Sequence, residues 1–98
     1  MKELVSVAEQ IASRLIERKQ TIAVAESSAG GLISAALLAV PGASAYFLGG
    51  AVVYTRTGGD ALLAIPPEAR QGLRASTEPY ALLMARTIRT RLGATWGV

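Results

Sequence analysis

Any chemistry in this chain falls to hydroxyls, carboxylates and basic groups, because its 98 residues include neither Cys nor His. That removes thiolate nucleophiles, thiolate metal sites, and the commonest general base and metal ligand. Lysine is scarce (Lys2 and Lys19), and Asp60 is the sole aspartate. Three segments hold the remaining candidates. In Glu26-Ser27-Ser28-Ala29-Gly30-Gly31 a polar, Gly-rich turn separates an apolar strand pattern from an apolar helix pattern. Such a turn aims backbone N–H groups at one point, and the helix dipole adds positive potential there. A phosphate or carboxylate is the expected guest, with Ser27 and Ser28 as extra donors. The same residues also suit a plain helix start, with Ser28 as cap and the glycines allowing close packing. Spacing leaves both readings open.

The second segment is Pro41-Gly42-Ala43-Ser44-Ala45-Tyr46-Phe47, where Ser44 follows a tight turn and precedes a strand. A serine nucleophile needs a base, and without His that base is Lys, Tyr or a carboxylate. Taken alone, Ser44 reads as a turn or cap residue. The third segment is Tyr54-Thr55-Arg56-Thr57, in which Tyr54 closes a strand. Its phenol is placed either at the same crevice or simply half-buried on the sheet.

The elements that position these residues follow from periodicity and punctuation. Residues 2–19 form an amphipathic helix pattern, with Leu4, Ala8, Ile11 and Leu15 at helical spacing beside Val5, Ala12 and Ile16. Thr21–Ala25 is a short buried strand, and Leu32–Ala39 is a helix stopped by Pro41-Gly42. Ser44–Tyr54 holds a second strand, clearest at residues 51–54, and Gly49-Gly50 marks a bulge or a close backbone approach. Thr57–Asp60 reads as a turn, Ala61–Ile65 as a helical turn, and Pro66-Pro67-Glu68 as a further helix start. Thr77-Glu78-Pro79 opens a last helix striped by Ala81, Met84 or Ala85, Ile88 and Leu92, and Gly93 ends it. Ala94–Val98 then reads as the opening of a strand. Trp96 and Met84 are expected in the core, and Tyr80 in the core or at a rim.

This order gives one α/β domain over residues 1–98, a sheet covered by helices. From the ending at a strand opening, the expectation is the first part of a longer domain. Half of the residues (51%) are hydrophobic and 17% are charged, which excludes disorder. Residues 1–49 are neutral and residues 50–98 carry the net +3. The pI near 9.8 invites a nucleic-acid reading, but the arginines are scattered and only five aromatics are available. No apolar run approaches the ~20 residues that span a bilayer, and no signal peptide opens the chain. The expected location is the cytoplasm.

Taken in order, Thr21-Ile-Ala-Val-Ala-Glu-Ser-Ser-Ala-Gly-Gly-Leu and Val40-Pro-Gly-Ala-Ser-Ala-Tyr-Phe-Leu-Gly-Gly-Ala-Val-Val-Tyr54 resemble the C-terminal domain of the competence/damage-inducible protein CinA. The stand-alone members of that family are nicotinamide-nucleotide amidohydrolases. Leu63-Ala-Ile-Pro-Pro-Glu and the last helix extend the resemblance over nearly the whole chain. It implies a three-layer α/β/α sandwich with a mixed sheet, of which this chain ends after the last helix. It implies hydrolysis of the amide of nicotinamide mononucleotide to nicotinate mononucleotide and ammonia, with no metal and no cofactor. The implied partners are a small-molecule nucleotide and a second copy in a homodimer. By carry-over Ser44 is the nucleophile, Tyr54 and Ser27 share its site, and Glu26, Ser28, Gly30 and Gly31 form the substrate cradle. The chain departs from the family where it matters for catalysis. A lysine usually follows the tyrosine by five residues, and here that position is Gly59. The expected function is therefore a nicotinamide-nucleotide amidohydrolase or, as the alternative, a non-catalytic nucleotide-binding or competence-related partner domain.

Overall fold

The computed structural model describes residues Met1–Val98. Helix α1 (Lys2–Arg18) leads into strand β1 (Ile22–Glu26), helix α2 (Leu32–Leu38), a 3-10 turn (Ala43–Ala45) and strand β2 (Phe47–Val52). Short helix α3 (Arg56–Gly58) widens into a π turn (Gly59–Leu63), then come α4 (Pro67–Arg70), α5 (Glu78–Leu92) and β3 (Trp96–Gly97). The three strands are all parallel, in the order β2-β1-β3. The antiparallel partner that a mixed sheet requires is not among these three.

Strand alternation splits the core in two, because successive side chains of β1 point to opposite faces. Ile22 and Val24 meet Ala8, Ala12 and Leu15 of α1, Ala36 and Leu37 of α2, and Tyr46. Ala23 and Ala25 meet Met84 and Ile88 of α5, with Val53, Leu63 and Ile65. The sheet is thus sandwiched between α1/α2 and α5, the expected three layers. Tyr46 is fully buried in the first face and donates its hydroxyl to the Leu37 carbonyl at 2.5 Å. Burial raises its phenol pKa above the ordinary value. The connections explain why both faces are covered. The chain passes from β1 to β2 through α2 in one direction, then back across β1 to β3 through α5. Right-handed crossovers in opposite directions put their helices on opposite faces.

Glycine has two clear uses in the sheet. The β1–β2 register slips between Ile22/Phe47 and Ala23/Gly49, so the bulge expected from Gly49-Gly50 is present. A Cβ on Gly50 would lie 2.6 Å from the Ser34 hydroxyl oxygen, which is the close approach that α2 needs. A Cβ on Gly97 would overlap the Ala85 carbonyl oxygen of α5 and press on Arg89. Gly97→Ala is expected to lose about 1–3 kcal/mol, since overpacking a fitted contact costs that much. Urea unfolding checks it, and an unchanged midpoint would contradict the contact.

Three local expectations are corrected. Residues 57–60 are helical and not a simple turn, because Thr55 caps them by accepting from the Gly58 N–H at 3.1 Å. Trp96 is 50% exposed and so is not a core residue. It sits on the last strand, and its indole N–H donates to the Gln20 side chain at 3.0 Å. The buried stripe of α1 is Ala8, Ala12 and Leu15, while Leu4, Ile11 and Ile16 remain exposed. No helix is long and apolar enough to cross a membrane.

Candidate functional site

The loops after β1 and β2 leave toward opposite faces of the sheet. In open α/β sheets that divergence of adjacent strands creates a crevice at their carboxyl ends. A crevice of about 660 Å³ lies there. One wall is Glu26, Ser27, Ser28 and Ala29; the facing wall is Val53, Tyr54, Thr55 and Arg56. The Val53 N–H donates to the Glu26 carbonyl at 2.7 Å and ties the two loops together at the base. Arg70, the 73–76 loop and the first turns of α5 close the remaining side.

Glu26 is the one charged side chain buried in the protein, at 3% exposure. Its Oε1 accepts from the N–H groups of Gly31 (3.1 Å) and Ile33 (2.9 Å), and its Oε2 from that of Ser34 (2.8 Å). Burial pushes the carboxyl pKa up, but the Ser34 amide and hydroxyl and the Ile33 and Gly31 amides outweigh it and hold it below 4.5. The anion expected at the start of α2 is therefore the chain's own carboxylate. Glu26, expected as a substrate-binding residue, serves here as an internal helix cap at the crevice wall, and Gly31 gives its amide to that cap. Ser28 is not the cap: the residue before α2 is Gly31, which has no side chain of its own, and Ser28 lies exposed on the crevice wall. Gly30 and Gly31 keep their conformational role, with φ of 65° and 102° turning the chain so that Glu26 meets the helix.

Ser44 is not in this crevice. It is exposed in the 3-10 turn before β2, whereas Tyr54 lies just after that strand. Six strand residues at about 3.3 Å each separate the two ends by about 20 Å. Within one chain, therefore, Ser44 is not brought together with Tyr54 at the crevice. Ser27, Ser28 and Tyr54 do share the crevice, with Tyr54 at its mouth and 80% exposed. Tyr80 lines it too while packing against the second core face, so it takes both of the places expected for it. Gly59 is buried behind Tyr80: a Cβ there would lie 3.7 Å from the Tyr80 hydroxyl oxygen. No spacing signal marks Arg70 or Ser76, which α4 and the following loop bring to the wall.

Fold and crevice together define an α/β domain with an open crevice at the diverging carboxyl ends of two parallel strands. The model of the CinA C-terminal domain matches residues 4–98, and the chain belongs to that family. A CinA-like protein of Parasynechococcus marenigrum (strain WH8102) is 40% identical over 93 residues, which is 95% of this chain and 22% of that protein. The structure is similar to a CinA superfamily protein from Enterobacter cloacae, with TM-score 0.82, 30% identity, and coverage of 93% of this chain and 54% of the other. It is also similar to competence damage-inducible protein A from Klebsiella pneumoniae, with TM-score 0.84, 26% identity, and coverage of 93% and 56%. The chain thus spans about a fifth of its curated relative and a little over half of these solved chains.

Proposed function

We propose that the crevice takes nicotinamide mononucleotide and that Ser27, not Ser44, attacks its carboxamide. Addition of the hydroxyl oxygen to the amide carbon, with its proton passed to the departing nitrogen, releases ammonia and leaves an ester. Water then hydrolyses the ester to nicotinate mononucleotide. The observation that carries this reading is the convergence of Ser27, Tyr54 and Tyr80 at the switch point between β1 and β2. Tyr54 is the proton relay nearest the mouth. The reading requires that full-length protein release ammonia from nicotinamide mononucleotide. Ser27→Ala is expected to reduce the rate to background, and Ser44→Ala to leave it within about twofold, the tolerance of an exposed surface change. Loss of activity in Ser44→Ala alone would return the nucleophile to the far end of the sheet.

A second reading, a nucleotide-binding domain without turnover, is favoured by Gly59. A lysine base contributes about 10²–10⁴-fold to such a step, and no lysine lines the crevice. Binding without ammonia release from the wild type is the result that selects it.

A further inference from the structure

We infer that Arg70, held by Asp60, is the anchor for a phosphomonoester in the crevice. This inference rests on the reading of the crevice as a nucleotide site. It starts from what the crevice has already used. The amides of Gly31, Ile33 and Ser34 at the opening of α2 are committed to the Glu26 carboxylate. A ligand dianion must be met elsewhere, and two cationic side chains line the crevice, Arg56 and Arg70. Arg56 is exposed at the first turn of α3. The side chain of Arg70 is only 10% exposed, at the end of α4. A guanidinium so withdrawn from water is little screened, and its planar fork matches two phosphate oxygens at once.

Asp60 explains how the cation is kept there. Arg70 donates from one terminal nitrogen to the Asp60 carboxylate, whose side chain is 48% exposed and stands outside the crevice lining. That contact occupies one nitrogen of a side chain that lines the crevice. Arginine carries five N–H donors, so a single carboxylate contact does not exhaust it. The neighbouring wall of Leu73, Ala81 and Met84 is apolar and suits a ring rather than a second charge.

Titration calorimetry on the full chain tests this with two ligands that differ only in the phosphate, nicotinamide mononucleotide and nicotinamide riboside. The wild type is expected to favour the mononucleotide by about 10- to 100-fold, the range for hydrogen bonds to a charged group. Arg70→Gln is expected to bring the two affinities within about threefold of each other, leaving that for the riboside unchanged, and Arg70→Lys to restore part of the preference. Inorganic phosphate is expected to compete with the mononucleotide and not with the riboside in the wild type, a readout that needs no variant. Equal affinities in the wild type, or an Arg70→Gln variant that weakens both ligands alike, overturn the anchor. Phosphate binding that Arg70→Gln abolishes, with neither nucleoside bound, would keep the anchor and remove the nucleotide reading. No binding of any of the three probes removes both.

Discussion

Replacing Glu26 with alanine is expected to unfold the domain or to lower its Tm by about 12–40 °C. Three amides of α2 donate to its carboxylate at 2.8–3.1 Å, in a position 3% exposed. Removing the acceptor strands those donors in a partly buried turn, where each unsatisfied group costs about 1–3 kcal/mol. Because the turn is only partly buried and water reaches some of the freed donors, the lower part of that sum, about 3–5 kcal/mol, is expected, against a whole stability of about 5–15 kcal/mol for a domain of this size. At about 4–8 °C per kcal/mol this gives the stated shift. Glutamine does not rescue, although it has the same shape. Both carboxylate oxygens accept, so an amide must turn its NH2 toward either the Ser34 N–H or the Gly31 and Ile33 pair. Ser34→Ala is the mild control, since it removes one hydroxyl and keeps the backbone donor; it is expected to lose about 1 kcal/mol. Circular dichroism melts of the three variants separate these outcomes. Equal melting of Glu26→Ala and wild type would show that the carboxylate does not hold the helix.

The same carboxylate sets an acid limit. Its folded pKa lies below the ordinary 4.5, so the folded state holds it deprotonated more strongly than the unfolded chain does. The stabilisation is complete above the unfolded value and is lost as pH falls through the lower, folded value. The wild type is therefore expected to lose stability more steeply below pH 4.5 than Glu26→Gln, in which this proton site is absent.

Periodicity and punctuation made most of the fold legible. Residues 2–19, 32–39 and 78–92 carry helical spacing, and Gly93 (φ 67°) ends the last helix where a left-handed residue is required. The apolar Ile-Ala-Val run of β1 forecast burial on both faces, and all five of its residues are buried. The site was legible only in part. Ser27, Ser28 and Tyr54 come together because they follow strands directly, and the carboxyl ends of parallel strands share one edge of the sheet. Ser44 lies apart from them within the chain because it precedes its strand, and a linear motif does not record which end of the sheet it reaches. Glu26 was legible as part of the turn but not in its partners. A carboxylate five residues before the Gly31 amide meets it only because Gly30 and Gly31 take positive φ, so the glycines signalled an anion site without saying whose anion fills it. Arg70 carried no local pattern at all, since its partner Asp60 lies ten residues away across the π turn and α4.

Gly59→Lys is expected to raise ammonia release from nicotinamide mononucleotide by about 10²–10⁴-fold, the usual contribution of a positioned base. The backbone permits the change. Gly59 sits at φ −62° and ψ −43°, ordinary right-handed helical values, so no positive φ reserves the place for glycine. A Cβ there meets nothing closer than the Tyr80 hydroxyl oxygen at 3.7 Å and Ile65 Cδ1 at 4.0 Å, both normal contact distances. The side chain therefore starts beside Tyr80, a crevice residue, and has the length to follow its ring toward the opening. Glycine inside a helical turn also loses more entropy on folding than other residues, which offsets part of the cost of desolvating the amine. Desolvation itself helps the chemistry. It disfavours the ammonium, lowers the lysine pKa toward neutrality and leaves a fraction able to take the Ser27 proton. Two further variants make the gain specific. Gly59→Met fills the same space without a base and is expected to stay at the wild-type rate. The double variant Gly59→Lys with Ser27→Ala is expected to return to background, because the amine then has no nucleophile to activate. A rate increase that survives Ser27→Ala would mean that the lysine attacks or solvates on its own and that Ser27 is not the nucleophile. Binding of the mononucleotide with no gain from Gly59→Lys would leave the crevice as a nucleotide site whose chemistry this half of the solved relatives' length does not contain.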